Sequence, residues 1–571
     1  FNARIGIKLD GLESRNTSLL THGVGAHLDK EPLMSFISAG PADRLENLKP
    51  KRVTLNDTEI LLIRDGENVY ASSADCPHKG APLEDGAVCR GKLVCPWHKG
   101  TFDIASADVC EPPALTGLSR YAVEIRDGEV LVDPEQATDS TDKRQNRLTA
   151  VNAHSHIVIV GAGAAGAAAL QSLVNNRYHG RITVVDPEAD APYDRTLLTK
   201  AVTAGDMEPD EVDPLVNQDD MDITEVTRLV AKVSGIDTAA HQIELYDGQS
   251  LAYDRLLIAT GGIPVRPDLP GVNLLGIHTL RNIEHVESLL ADVENTNNIT
   301  IVGNSFISLE VAASLKQRSD NIRVKVIAPD AVPFEKQFGT QIGQYFRDLH
   351  EKHDVEFVEG TVSGFHGTEK VAAVKLESGE MLETNLVLLA TGITTDKDLL
   401  NSFTLTHQGL VKVNEFLEAA EDVYAVGDIT SYPYNGEEMH IEHWRLAQQH
   451  GRCAAENILA SLAYPAERKA FDRTPYFWTQ QFDVKFEYVG HAKEWDEIEA
   501  VGTPEDEQYL AVFRKDGKEI AVLAKGYPQL TAKMVIEMDD HVALSSLKAV
   551  LDCGRSPIAF KDTTELAAAS L

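Results

Sequence analysis

The sequence predicts a multi-domain chain: a small all-β domain first, a larger α/β body, and a small α+β domain at the end. Three observations carry that prediction. Residues 36–135 alternate apolar and polar positions between Asp-Gly turns, as in "KRVTLNDTEILLIRDGENVYAS" and "RYAVEIRDGEVLVDP", which is the pattern of hairpins. The stretch "IVIVGAGAAGAAAL" recurs as "ITIVGNSFISLEVAASL", and each copy later meets an apolar strand ending in Ala-Thr-Gly, at Gly261 and Gly392. A repeated strand–turn–helix unit implies two parallel sheets of one design, with helices on both faces. From "PYFWTQQF" onward strand-like alternation returns, with an Asp-Gly turn in "FRKDGKEIAVLA".

At 571 residues the chain has room for three or four such domains, at about 150 residues each. The expected divisions are an N-terminal extension at 1–35, the all-β domain at 36–135 and a polar linker at 136–153 within "PEQATDSTDKRQNRLTA". A first α/β unit follows at 154–280, completed by 397–470, with a second unit inserted at 281–396 and the end domain at 471–571. The formal net charge is −35, which repels phosphate backbones and anionic lipid heads and argues against nucleic acid as a partner. Six cysteines in this length do not make a secreted disulfide framework, so an intracellular compartment is expected, cytoplasm or mitochondrion. No apolar run is long enough to span a bilayer. Residues 1–35 carry a few basic residues with Ser and Thr, which suits either a targeting stub or a plain extension.

Three of the six cysteines fall within "CPHKGAPLEDGAVCRGKLVC", Cys76 to Cys95. Cys76 and His78 are one residue apart, Cys95 and His98 two apart, with sixteen residues between His78 and Cys95. Zinc accepts two thiolates and two imidazoles. Each short loop here supplies one of each, however, which suits a cluster with two thiolates on one iron and two imidazoles on the other. The pattern C-P-H-x16-C-P-W-H, with "GAPLEDGAV" and "GTFD" beside it, resembles the Rieske [2Fe–2S] motif. The resemblance implies that Cys76 and Cys95 hold one iron and His78 and His98 the other. Ala81 and Trp97 stand where respiratory Rieske proteins carry an extra disulfide, so the ferredoxin-like variant is implied, with a potential low in the Rieske range. Lys99 departs from the family, which usually has glycine there. Cys89 and Cys110 read as ordinary thiols.

Gly161-x-Gly163-x-x-Gly166 follows "HIVIV" and opens an alanine-rich helix. In that context the glycines permit a tight turn, close approach of a pyrophosphate and close helix packing, with the helix N-terminus facing the anion. The next strand ends at Asp186, 20 residues after Gly166, where a carboxylate can take a ribose diol. "VYAVGDIT", with Gly427 and Asp428, resembles the second FAD signature of two-dinucleotide-domain flavoproteins, whose Asp holds the ribitol. "PYDRTLLTK" resembles their flavin-contacting segment, which implies that Arg195 meets FAD and Lys200 sits near the isoalloxazine. "EHWRLAQQHGR" resembles their flavin-side helix, with Trp444 by the ring. Trp478 in "PYFWT" is a further aromatic in reach of the flavin. For both tryptophans core packing is the competing role.

The second unit stands in the place of the nicotinamide fingerprint, but Ser305 replaces its second glycine and Ser308 its third, after Gly303. Glu310 matches a family glutamate that pairs with the lysine near the flavin, here Lys200; the pair orients the lysine for hydride transfer, which needs alignment more than a proton shuttle. Asp186 lies 25 residues after Gly161, and the residue 25 after Gly303 is Ala328. Asp330 follows two residues on and disfavours a 2′-phosphate, so NADH is the expected coenzyme; Lys336 is the nearest base beyond it.

No C-x-x-C follows the first glycine turn, which argues against dithiol chemistry. The domain order resembles the Rieske-containing apoptosis-inducing-factor-like flavoproteins and the ferredoxin reductases of oxygenase systems. It implies an all-β Rieske domain, an α/β two-dinucleotide-binding-domain flavoprotein and an α+β C-terminal domain. The implied function is NAD(P)H-dependent electron transfer through FAD to the fused [2Fe–2S] cluster and on to an acceptor such as an oxygenase, a haem protein or a quinone. Two alternatives stay open. One is a redox-signalling flavoprotein that acts through partner binding; the other is a reductase of a small molecule at the flavin, with the Rieske domain as a structural or regulatory module. A homodimer is left open as well.

Overall fold

A computed structural model of the chain describes residues 35–139, 155–216, 226–462, 467–552 and 558–561. The front domain holds two antiparallel sheets. Six strands run in the order Ile37–Pro41, Glu129–Asp139, Ser119–Arg126, Asn68–Ser73, Thr58–Asp65, Lys51–Leu55. Four short ones run Ala87–Cys89, Lys92–Val94, Thr101–Asp103, Val109–Glu111. Period-two burial splits the domain into two cores. Leu61 and Ile63 face Phe102, Leu83 and Leu93 on the side of the small sheet, while Ile60 and Leu62 face Val130 and Val132 on the other. The last strand pairs through Asp139, opposite Ser119, so it runs into the stretch read as linker. The remainder of that stretch and the extension through residue 34 lie outside the described residues.

The first α/β unit orders its strands Val226–Val230, Arg181–Asp186, His156–Val160, Arg255–Ile258, Val423–Ala425, Glu418–Ala420. All neighbours are parallel except the last pair. Strands of near-continuous Val, Ile and Leu need cover on both faces. Helices Ala164–Asn175 and Trp444–Ser461 cover one face, burying Ile157, Ile159 and Leu257. Among the described residues the other face is not helical, contrary to the sequence expectation. Val158, Val160 and Ile258 pack there against Val233, Ile243 and Leu245 of a three-stranded antiparallel sheet, with Leu399 and Phe403. The second unit repeats this: Ile299 and Ile301 lie under helix Phe306–Arg318, and Val302 and Leu389 lie under Val362, Val374 and Leu382 of another antiparallel sheet. A β-meander supplies one wide apolar face within the crossover, which is why it can stand in for a helix.

The end domain is a six-stranded antiparallel sheet, Tyr476–Gln481, Val484–Gly490, Lys518–Lys525, Tyr509–Lys515, Glu497–Val501, Ile558–Lys561, backed by helix Pro528–Asp539. Its other face joins the core of the second unit through Phe486, Tyr488, Ala511 and Phe513. Among the described residues no helix is long and apolar enough to cross a membrane.

Candidate functional site

A cavity of about 630 Å³ opens where the first glycine turn meets the second unit and the end domain. Strand His156–Val160 ends at Gly161, whose φ is +98°; a Cβ there would lie 2.3 Å from the carbonyl oxygen of Ala259. A Cβ on Gly166 would lie 2.0 Å from the oxygen of Gly161, so the third glycine lets the helix settle onto the turn, behind the cavity wall. Gly163 is the N-cap of that helix and no side chain caps it, which leaves the helix start free to face an anion.

Asp186 is buried at the strand end and lines the cavity; its Oδ2 accepts the N–H of Ala162 at 2.6 Å, so it also fixes the glycine turn. Arg195 lines the cavity with its guanidinium held by Glu188 Oε1 at 2.6 Å and the oxygen of Arg281 at 3.0 Å. Burial lowers the basicity of Arg195, but Tyr193 and Glu188 outweigh that and its pKa ends above the usual range. Asp428 lines the cavity and accepts from Arg281 Nη2 at 3.1 Å, with Gly261 and Gly427 beside it on the wall.

Lys200 sits in a single π-helical turn, Leu198–Val202, a wide turn common at functional sites. Its Nζ meets Glu310 Oε2 at 2.7 Å. Thr199 and Thr479 hydroxyls each donate to Glu310 at 2.9 Å, so both carboxylate oxygens are held. Trp444 and Trp478 line the same cavity. The Nε1 of Trp444 is buried with no protein acceptor. The bare glycine cradle, the unsatisfied indole N–H and the walled-in arginine fit a dinucleotide with a flavin head.

The two Cys–His loops form a second centre at the edge of this cavity. Each is a tight turn: Gly80 donates to the oxygen of Cys76 at 2.9 Å, and Cys95 donates to the oxygen of Gly100 at 2.8 Å. Cys76 and Cys95 are both buried. The neighbouring Cys76 thiol lowers the pKa of the Cys95 thiol, against burial, with help from the N–H groups of His98 and Trp97 and the charge of Lys99. The rings of His78 and His98 lie 5.1 Å apart. Burial holds the His98 imidazole well below its usual pKa. Among the described residues no three His, Cys, Asp or Glu side chains gather close enough for a single ion. A sulfur pair beside an imidazole pair fits a two-iron cluster better than a tetrahedral zinc.

The two centres touch. The His98 ring lies 4.4 Å from that of Trp478, which lines the cavity. His78 Nε2, with no nearer partner, lies 3.5 Å from Oδ2 of Asp194, the neighbour of Arg195. Burial would raise the pKa of the Asp194 carboxyl, but the His78 ring beside it and the two hydrogen bonds from Thr196 outweigh that and hold it below the usual range. Asp194, Glu188 and Arg281 were not singled out by the sequence. Asp194 lies inside the motif that drew attention to Arg195; Arg281 carries no local signal. Gly303, Ser305 and Gly392 do not line the cavity. They sit at the second glycine turn, where φ is +112° at Gly303 and +92° at Gly392.

A fold of two stacked dinucleotide units with a Cys–His iron–sulfur domain seated on the flavin side defines an electron-transferring flavoprotein. The comparisons agree. Residues 155–451 match the family described as pyridine nucleotide-disulphide oxidoreductase, residues 35–122 the Rieske [2Fe-2S] domain, and residues 476–548 the reductase C-terminal domain. The chain belongs to the pyridine nucleotide-disulphide oxidoreductase family. It is similar to apoptosis-inducing factor 3 of Homo sapiens, 28% identical over 506 residues, covering 86% of this chain and 82% of that protein. It is also similar to the ferredoxin–NAD(+) reductase component of the p-cumate 2,3-dioxygenase system of Pseudomonas putida, 29% identical, covering 64% of this chain and 88% of that one. Among solved structures, the putidaredoxin reductase–putidaredoxin complex shares the fold, with TM-score 0.63 and 23% identity over 70% of this chain and 99% of that one. Fdr9 matches with TM-score 0.59 and 29% identity over 67% and 94%. The protein is an NAD(P)H-dependent flavin oxidoreductase with FAD and a [2Fe–2S] cluster as its cofactors.

Proposed function

We propose that the chain is a self-contained reductase and ferredoxin: electrons enter from a nicotinamide, pass the flavin site, reach the fused cluster and leave for a partner. One observation supports this most strongly. His98, a ligand candidate, lies against Trp478, a wall of the flavin cavity, at 4.4 Å. FAD supplies hydride acceptance and release of single electrons, and the [2Fe–2S] cluster supplies one-electron transfer.

The residues do the positioning. Gly161, Gly163 and the uncapped helix would hold the pyrophosphate, Asp186 the ribose, Arg195 and Asp428 the rest of the chain toward the ring. Glu310, held from both sides, fixes the Lys200 ammonium at the reacting end of the cavity; Trp444 walls that end and excludes water. Cys76 and Cys95 would hold one iron, His78 and His98 the other. No cysteine pair follows the glycine turn, so the cluster is the next redox centre the chain offers. A fused partner also raises its local concentration far above that of free diffusion. NADH is favoured over NADPH, because Asp330 follows the strand end and Lys336, the nearest base, is engaged with it at 3.0 Å. The acceptor is a soluble redox protein such as an oxygenase or a haem protein, or a quinone; the names of the reductase relatives favour the first.

The test is anaerobic addition of NADH with visible spectra and low-temperature EPR. The expected outcome is flavin bleaching together with a Rieske-type signal. A bleached flavin beside an intact, oxidised cluster would overturn the relay and favour signalling through partner binding.

A further inference from the structure

Lys99 stands directly after the ligand candidate His98 and is wholly buried. Its backbone is in the left-handed region, φ +63°, which a lysine occupies only when its surroundings hold it there. Its Nζ donates to the oxygen of Pro96 at 2.7 Å, to Glu487 Oε1 at 2.9 Å and to the oxygen of Pro528 at 3.2 Å. Pro96 belongs to the same loop, but Glu487 and Pro528 belong to the end domain. The backbone oxygen of Lys99 accepts from Arg445 of the flavin-side helix at 3.3 Å, and Arg445 also donates to the oxygen of Pro112 at 2.8 Å. Glu487 in turn receives the hydroxyls of Thr531 at 2.6 Å and Tyr476 at 3.1 Å. Burial disfavours the charge on Lys99, and Glu487 opposes that. One loop residue is thus bonded to two other domains, on the side where His98 meets Trp478.

We propose that Lys99 is a positioning residue: a latch that seats the second cluster loop against the end domain and keeps the cluster beside the flavin cavity throughout turnover, so that the iron–sulfur domain works docked rather than swinging on its linker. The function of the latch rests on the relay reading above; its structural part does not. A lysine that merely filled space would not need a buried acid on another domain, nor a strained backbone to reach it. A buried charge pair contributes little net stability against apolar packing but fixes one arrangement against others.

Lys99→Gly tests it. Glycine takes a positive φ without strain, and Glu487 keeps Lys485 at 3.1 Å as a counter-charge, so the variant should fold with its ligands intact and an unchanged cluster EPR spectrum. Amide hydrogen exchange should rise in residues 93–101 and 484–490 and stay unchanged in strand His156–Val160. On anaerobic mixing with NADH, flavin bleaching should keep its rate, while cluster reduction slows by about tenfold or more and becomes viscosity-dependent, as a tethered domain must re-dock. Unchanged exchange with unchanged cluster reduction would overturn the latch. If the parent chain itself fails to reduce its cluster, the relay reading falls while the exchange data still judge the latch. Should Lys99→Gly not fold, Glu487→Gln, which keeps the shape and removes the pair, should move both readouts in the same direction, and no movement in either would overturn the proposal.

Discussion

The two dinucleotide units share one backbone and differ in how they treat their helix starts. Gly161 and Gly303 both have positive φ, and a Cβ on either would strike the oxygen of an Ala-Thr-Gly strand, Ala259 at 2.3 Å and Ala390 at 2.4 Å. Beyond that turn they part. The first unit has Gly163 and Gly166, no side-chain cap, and a cavity before it. The second has Ser305 and Ser308 in a capping box: each hydroxyl accepts the other's backbone N–H, at 3.4 and 3.2 Å. One helix start is open to an outside anion; the other satisfies itself. The difference suits a cofactor that stays in the first unit and a coenzyme that comes and goes in the second, since the capping box competes with a pyrophosphate for the same N–H groups.

The sharpest way to break the comparison is to load both turns equally. Gly161→Ala and Gly303→Ala should each destabilise by about 3 kcal/mol from the clash and the unfavourable φ. Only the first should empty the flavin site, read as the ratio of flavin absorbance to protein; the second should keep its flavin yet lose reduction by NADH. Equal flavin loss in both would mean the units are not specialised. A smaller effect comes from restoring the fingerprint. Ser305→Gly with Ser308→Gly frees the second helix start and should lower the KM for NADH several-fold at unchanged kcat, while losing about 1 kcal/mol in thermal or urea melts. A rise in KM would show that the serine hydroxyls bind the coenzyme themselves. The smallest effect concerns coenzyme choice. Asp330→Asn removes the acid after the second strand and frees Lys336, an exposed pair worth under about 1 kcal/mol. It should raise the ratio of NADPH to NADH kcat/KM a few-fold, with no change in melting.

Much of the site was legible because it is written in short motifs. The Cys76–His78 and Cys95–His98 pairs, the Gly161 turn and Asp186 lie within one or two turns of chain, where spacing alone constrains geometry. Lys200 and Glu310 are 110 residues apart, and only the family resemblance linked them; the fold brings them to 2.7 Å. The fold class was legible for the same local reasons, except for the layer opposite the helices. Apolar strands announce that both faces are covered but not by what, and "VSGID" or "QIEL" read alone as ordinary hairpin strands.

By itself, the sequence determined the cofactor chemistry and the order of the domains, because ligand spacing, glycine turns and hydrophobic period are properties of neighbouring residues. Only the tertiary structure decided how the two redox centres meet. That His98 faces Trp478, that Asp194 reaches His78 and that Lys99 finds Glu487 are contacts 380, 116 and 388 residues apart in sequence. No local pattern encodes them: each depends on how whole domains pack against one another, which the residues near either partner in sequence do not carry.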